Sequence, residues 1–170
     1  MQQAQDMHDD QACDVFQVLT FDLQGETFAL DAGLVREVID LAPETGVPGA
    51  APFVDAVINF RGRVIPLADL RLAFGMARGE PTRDSRIVVI EHEIEGEPTL
   101  IGLRADKVHE VTSIPLGDTE APPRVGLRWR TDFIQRLAKH GGELVVLPDL
   151  AQVFATRGGA LGAVVPFAPV

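Results

Sequence analysis

The chain repeats itself, and the repeat limits what it can fold into. Gly25-Glu26 followed by Val35-Arg36-Glu37-Val38 returns as Gly96-Glu97 followed by Val108-His109-Glu110-Val111, with a spacing that differs by only two residues. The copies also end alike. Val64-Ile65-Pro66-Leu67-Ala68-Asp69-Leu70 leads to Phe74, and Val145-Val146-Leu147-Pro148-Asp149-Leu150 leads to Phe154. Either half alone is small and exposes strand edges that invite pairing with other chains. Curling each sheet into a barrel and packing the barrels together removes those edges, so a duplicated two-barrel body is expected.

The apolar runs agree with this. They are short, at 15–23, 27–30, 56–60, 64–67, 87–90, 100–103 and 144–147, and their lengths suit strands better than helices. Gly25, Gly62 and Gly96 each separate two runs, which reads as a hairpin turn. Val35 and Glu37 alternate with Arg36 and Val38, so on a strand Val35 and Glu37 share one face. Helices are few and short, with candidates at 69–74, 131–139 and 150–156. In the second of these, Phe133, Ile134 and Leu137 have the spacing of one buried helical face. Asp69 and Asp149 stand where a carboxylate caps the first turn of a helix.

Length and charge narrow the partners. The 170 residues carry 46% hydrophobic and 24% charged side chains, which is ordinary globular usage and enough for a core. A net charge of -10 repels phosphate backbones and anionic lipid, so no nucleic-acid partner is expected. Cys13 is the only cysteine, which leaves no intramolecular disulfide framework and suits a reducing cytoplasm. No stretch has the apolar length that spans a bilayer, and membrane insertion is not expected. Residues 1–14, rich in Gln and Asp, and 157–170, rich in Gly, Ala and Pro, read as flexible tails.

A search for catalytic chemistry finds none. Ser85 and Ser113 are the only serines, and neither lies in a Gly-x-Ser-x-Gly elbow. His8, His92, His109 and His140 lack paired metal-ligand spacing, so neither catalysis nor a metal is expected. Gly158-Gly159 and Gly162 lack the Gly-Lys-Ser/Thr of a phosphate loop and read as linker, so no cofactor is expected either. Trp129, between Arg128 and Arg130, reads as a core cover at a strand end more readily than as a partner anchor.

The segment 57–67 points to binding. Its two apolar strands flank Asn59, Arg61 and Gly62, which carries a guanidinium to the side of a hairpin tip, where it can donate several hydrogen bonds to a partner. The plainer reading keeps Asn59 and Gly62 for turn geometry and Arg61 and Arg63 as solvated charges. The residues alone leave both open.

With Phe28-Ala29-Leu30-Asp31, Val35-Arg36-Glu37-Val38, Val47-Pro48, Ala51-Pro52-Phe53 and the run from Ile58 through Asn59-Phe60-Arg61-Gly62 to Pro66-Leu67-Ala68-Asp69-Leu70-Arg71, the chain resembles the CheW-like domain family. The second half agrees through Val88-Val89-Ile90, Gly102, Asp106-Lys107-Val108, Val111 and residues 145–150, and departs from the family's usual apolar or small residues at Arg104 and Lys107. Ala56 stands where the family usually has glycine, which requires a negative φ there.

The resemblance implies a mainly β fold of two packed SH3-like five-stranded barrels with a few short helices, spanning 15–156 as intertwined halves of roughly 15–80 and 81–156. It implies a non-enzymatic cytoplasmic adaptor, recruited to receptor arrays and able to join higher-order rings, without cofactor or metal. Its partners would be the cytoplasmic tip of chemoreceptors and the regulatory domain of a CheA-type histidine kinase. Carried over by position, Val35, Glu37, Asn59, Arg61 and Gly62 face the receptor, and Val88, Ile90 and Val108 face the kinase. Two alternatives remain: an adaptor for pili, development or second-messenger control, and, from a different class, a small-molecule-binding barrel or hydrolase.

Overall fold

The computed structural model describes residues 14–123 and 130–156. The readings of residues 1–13 and 157–170 as tails, of Gly158, Gly159 and Gly162 as linker, and of Trp129 as a core cover lie outside the described residues.

Two-residue turns organise the strands. In the first half β1 (Val15–Leu23) reverses into β2 (Glu26–Asp31), followed by β3 (Val35–Asp40), β4 (Glu44–Gly46), β5 (Ala56–Phe60) and β6 (Arg63–Ala68). The second half repeats the series as β7 (Arg86–Ile94), β8 (Glu97–Ala105), β9 (Lys107–Pro115), β10 (Thr119–Glu120), β11 (Ile134–His140) and β12 (Glu143–Pro148). The turns at 24–25, 61–62, 95–96 and 141–142 all have positive φ at both positions, from 51° to 81°. That geometry matches the twist of the flanking strands, and it explains why glycine occupies the second position each time. Ala56 is not among the positive-φ residues, so the position tolerates its side chain.

Strand pairing crosses the halves. One sheet runs β10-β11-β12-β2-β1-β9 and the other β3-β7-β8-β6-β5-β4. The β1–β2 hairpin therefore completes the second half's sheet, and β7–β8 completes the first half's. Short parallel junctions make the joins, Val145 and Val146 against Thr27 and Phe28, and Leu67 and Ala68 against Gly102 and Leu103. A Cβ on Gly102 would approach Ile87 Cγ2 to 3.0 Å and Leu67 Cδ1 to 3.2 Å, so the second junction needs the small residue. The sheets curl into two SH3-like barrels, each with the five expected strands and one short edge strand more.

Three apolar clusters follow from this arrangement. Ala56, Ile58, Phe60, Ile65, Leu67, Ile87 and Val89 fill one barrel, and Val18, Ala29, Ile114, Ala138, Val145 and Leu147 fill the other. The largest cluster lies between the sheets and draws on both, from Phe21 and Phe28 to Val88, Ile90 and Leu103. Two short helices, α1 (Leu70–Ala73) and α2 (150–156), add Phe74 and Phe154 to it. Phe74 meets Phe28 edge-on at 5.2 Å and Phe133 at 6.2 Å, while Phe154 meets Phe53 at 6.2 Å, so each helix packs on the other half. Asp69 and Asp149 cap the two helices as expected, accepting from Arg71 N at 3.1 Å and Gln152 N at 3.0 Å.

The helix expected over 131–139 is a correction. Residues Thr131–Phe133 form a single 3-10 turn and Ile134–His140 are strand. A bulge between Ile134 and Arg136 adds one residue to the β11 ladder, which lets Ile134 and Leu137 enter the same cluster although they are three apart. The bulge imitates the spacing of a helix. At the 3-10 turn, Arg130 pairs with Asp132, whose carboxyl its hydrogen bonds hold below the usual range, and lies over the Phe133 ring.

One buried ionic node crosses the junction. Arg71, 5% exposed, grips Asp69, 1% exposed, through Nε and Nη2, both at 2.9 Å, and these bonds raise the guanidinium pKa above its ordinary value. Its Nη1 donates to Asp106 at 3.0 Å, and Asp106 accepts from the Gln24 amide in the β1–β2 turn at 2.6 Å. Arg104 lies beside the node, pairs with Glu44 through both terminal nitrogens, and brings Nε to 3.8 Å from Asp69. The departure at Arg104 is thus a tie from β8 to β4. Removing one member of such a pair strands a buried charge. Arg71→Ala is therefore expected to destabilise the protein by about 3–5 kcal/mol in urea denaturation, whereas loss of under about 1 kcal/mol would show that the node contributes little.

Candidate functional site

The β5–β6 turn places the sequence-predicted receptor residues. Asn59 Oδ1 accepts from the Gly62 amide at 2.9 Å, so the asparagine closes the turn. Gly62 supplies φ +80° and Arg61 takes φ +52°, which swings the Arg61 side chain out to 71% exposure. Arg61 Nη2 reaches Glu37 Oε1 at 2.6 Å, and its guanidinium carbon lies 5.5 Å from the centre of the Phe60 ring. On β3, Val35, Glu37 and Ile39 are half-buried and Arg36, Val38 and Asp40 exposed, the alternation expected of a strand. The barrel thereby unites Glu37 with Arg61, although β3 and β5 are not neighbours in the sheet order. Val35 packs against the shared core.

A groove of about 380 Å³ opens at the junction of the two sheets. Phe16, Val18, Leu30 and Leu147 line it from one sheet, His92 from the other, Leu34 from the 3-10 turn after β2, and Leu150 and Ala151 of α2 close one side. Asp31 Oδ1 accepts from Gly33 N at 2.8 Å and caps the 3-10 turn Ala32–Leu34 that sets the Leu34 wall. Outside the groove lining, Arg36 of β3 pairs with Glu91 of β7 at 2.9 Å. The groove is lined by polar as well as apolar side chains, Gln17, Asp31, His92 and Gln135 among them, and suits an amphipathic segment of another chain. The sequence reading missed it, because its wall residues come from seven separate elements and many look like ordinary core positions.

The expected kinase-facing residues need a correction. Val88 and Ile90 are 0% exposed and belong to the cluster between the sheets, and Val108 is partly buried against that cluster. A partner cannot touch Val88 or Ile90 while the barrels stay packed. Exposed apolar side chains include Val38 and Val64 on one sheet and Val111 and Leu144 on the other, at corresponding positions of the two halves, besides Val15, Leu41 and Leu116.

Among the described residues no three His, Cys, Asp or Glu side chains gather as a metal site, and no helix is long and apolar enough to cross a membrane.

Comparisons with known proteins place this geometry. The CheW-like domain matches residues 17–157. The chain is similar to the chemotaxis protein CheW of Rhizobium meliloti, 28% identical over 141 residues that cover 83% of this chain and 88% of the relative. It is also similar to the protein PilI of Pseudomonas aeruginosa, 30% identical over 96 residues that cover 56% of this chain and 52% of the relative. Among solved structures, the scaffolding protein TtCheW from Thermoanaerobacter tengcongensis superposes with a TM-score of 0.72 and 33% identity, covering 83% of this chain and 93% of that one.

The Glu37–Arg61 pair is exposed, so it adds little to folding. Arg61→Ala is expected to lower stability by less than about 1 kcal/mol, whereas Gly62→Ala, forced into a left-handed backbone, should cost about 1–2 kcal/mol. Urea midpoints at constant slope distinguish the two.

Proposed function

The chain belongs to the CheW-like domain family, and from that premise we propose that it is a non-enzymatic adaptor coupling the cytoplasmic tips of chemoreceptors to the regulatory domain of a CheA-type histidine kinase. The observation that carries the reading is the exposed Glu37–Arg61 pair held out by the β5–β6 turn, on a body whose two sheets also leave a groove open to an amphipathic segment. A helical hairpin tip presents an apolar stripe bordered by charge, which is the chemistry such a groove receives. The receptor set is Val35, Glu37, Asn59, Arg61 and Gly62, in which Arg61 and Glu37 make contact while Asn59 and Gly62 hold the turn. On the kinase side the exposed apolar positions Val64 and Val111 replace the buried Val88 and Ile90. The work is done in the cytoplasm, where both partners present these surfaces, and within assemblies of many copies.

A second reading is favoured by one observation, the similarity to PilI. It keeps the adaptor chemistry and moves the output from chemotaxis to another chemosensory system.

Pulldown of the purified protein and of Arg61→Ala against a receptor cytoplasmic fragment and the kinase regulatory domain tests the assignment. The substitution should weaken the receptor arm roughly ten- to a hundredfold, since a charged hydrogen bond contributes roughly 1.5–3 kcal/mol, and leave the kinase arm unchanged. Equal receptor capture would remove Arg61 from the site. Val111→Lys should weaken only the kinase arm.

A further inference from the structure

We propose that the groove between the barrels takes an arginine side chain from an amphipathic segment of a partner protein and holds it on the Asp149 carboxylate. The inference rests on the reading of the groove as a docking surface and adds the chemistry of the occupant.

The internal repeat supplies the template. Asp69 and Asp149 occupy the same place in the two halves. Each donates its amide to a phenylalanine carbonyl, Phe53 at 2.9 Å and Phe133 at 2.7 Å, and each caps the following helix through Oδ1. Around Asp69 the chain provides the cations itself. Arg71 grips both oxygens at 2.9 Å, its Nε sharing Oδ1 with the capping amide, and Arg78 and Arg104 bring Nε to 3.8 Å from Oδ2. Capping a helix therefore leaves such a carboxylate able to receive a guanidinium fork.

Around Asp149 the charges are reversed. Ala151 stands in place of Arg71 and, counting back from the matched Val35 and Val108, Asp31 stands where the other half has Arg104. The groove is lined by Asp31 and Asp149 and by no lysine or arginine, whereas the hollow beside Arg71 is lined by Arg78, Arg86 and Arg104 as well. Asp149 is half-buried, and its Oδ2 has no partner among the described residues and is open to the groove. The space that the Arg71 side chain fills in one half is, over Ala151 in the other, part of a groove of about 380 Å³.

Arginine fits this place better than lysine. Its planar fork matches a carboxylate, and its stem can lie along apolar walls, here Leu34, Leu147 and Leu150. An acidic segment would set like charge against both Asp31 and Asp149, which selects basic partners over acidic ones.

Two synthetic amphipathic helices test the assignment. Both carry a leucine face with one residue at its edge, arginine in the first and citrulline, which keeps the shape and loses the charge, in the second. Calorimetric titration into the full chain measures the affinities, and amide chemical shifts locate the binding. The arginine helix should bind about tenfold more tightly and shift amides along 29–34 and 147–151. Two variants should bind the two helices alike: Asp149→Asn, whose side chain still caps α2, and Ala151→Arg, whose own guanidinium takes the carboxylate as Arg71 takes Asp69. Equal affinity of the two helices for the unaltered protein overturns the arginine and leaves the groove a docking surface. A preference that survives both substitutions overturns the assignment to Asp149. Binding of neither helix, or shifts away from the groove, overturns the docking reading together with the inference.

Discussion

The core between the two sheets is the constraint on which the rest depends. Neither barrel is built from one half of the chain, because β1–β2 sits in the sheet of β9–β12 and β7–β8 in the sheet of β3–β6. The faces these hairpins turn away from the barrels, with Phe21, Phe28, Val88 and Ile90 fully buried, must meet each other. Burying a large apolar side chain contributes on the order of 2 kcal/mol, so a junction of this size holds the barrels at a fixed angle. The groove exists because that angle is fixed.

The polar node has a different part. Apolar packing is tolerant of small rotations, whereas the two-nitrogen grip of Arg71 on Asp69 and its further bond to Asp106 demand particular geometry. Asp106 lies between β8 and β9, where the chain crosses from one sheet to the other, and its bond to Gln24 N ties the crossing to the β1–β2 turn. The second half has Ala151 where the first has Arg71, so the node exists once in an otherwise repeated body. A duplicated fold has thus become asymmetric at its centre.

Much of this was legible in the sequence, for identifiable reasons. The hairpins at Gly25, Gly62 and Gly96 announce themselves because their geometry needs glycine, and Asp69 and Asp149 mark the helices because orphan amides need an acceptor. The strand at 134–140 was hidden by its bulge, and β4 and β10 by their lack of apolar residues, Glu44-Thr45-Gly46 and Thr119-Glu120. The repeat shows which segments correspond but not which copies pair, so the exchange of hairpins was out of reach. At the site, Arg61 and Glu37 stood out one by one, while their pairing depends on barrel closure. Val88 and Ile90 were carried over by position from the family resemblance, and position along the chain does not say that their face meets the other barrel.

The proposed adaptor role requires one small chain to hold two partners at once on separate surfaces. Co-sedimentation of a kinase regulatory domain with a receptor cytoplasmic assembly, with and without this protein, tests that requirement. Kinase domain in the pellet only when the protein is present, in proportion to the protein bound, is the predicted result. Kinase sedimentation unchanged by the protein, or competition between kinase and receptor for it, would rule the adaptor role out.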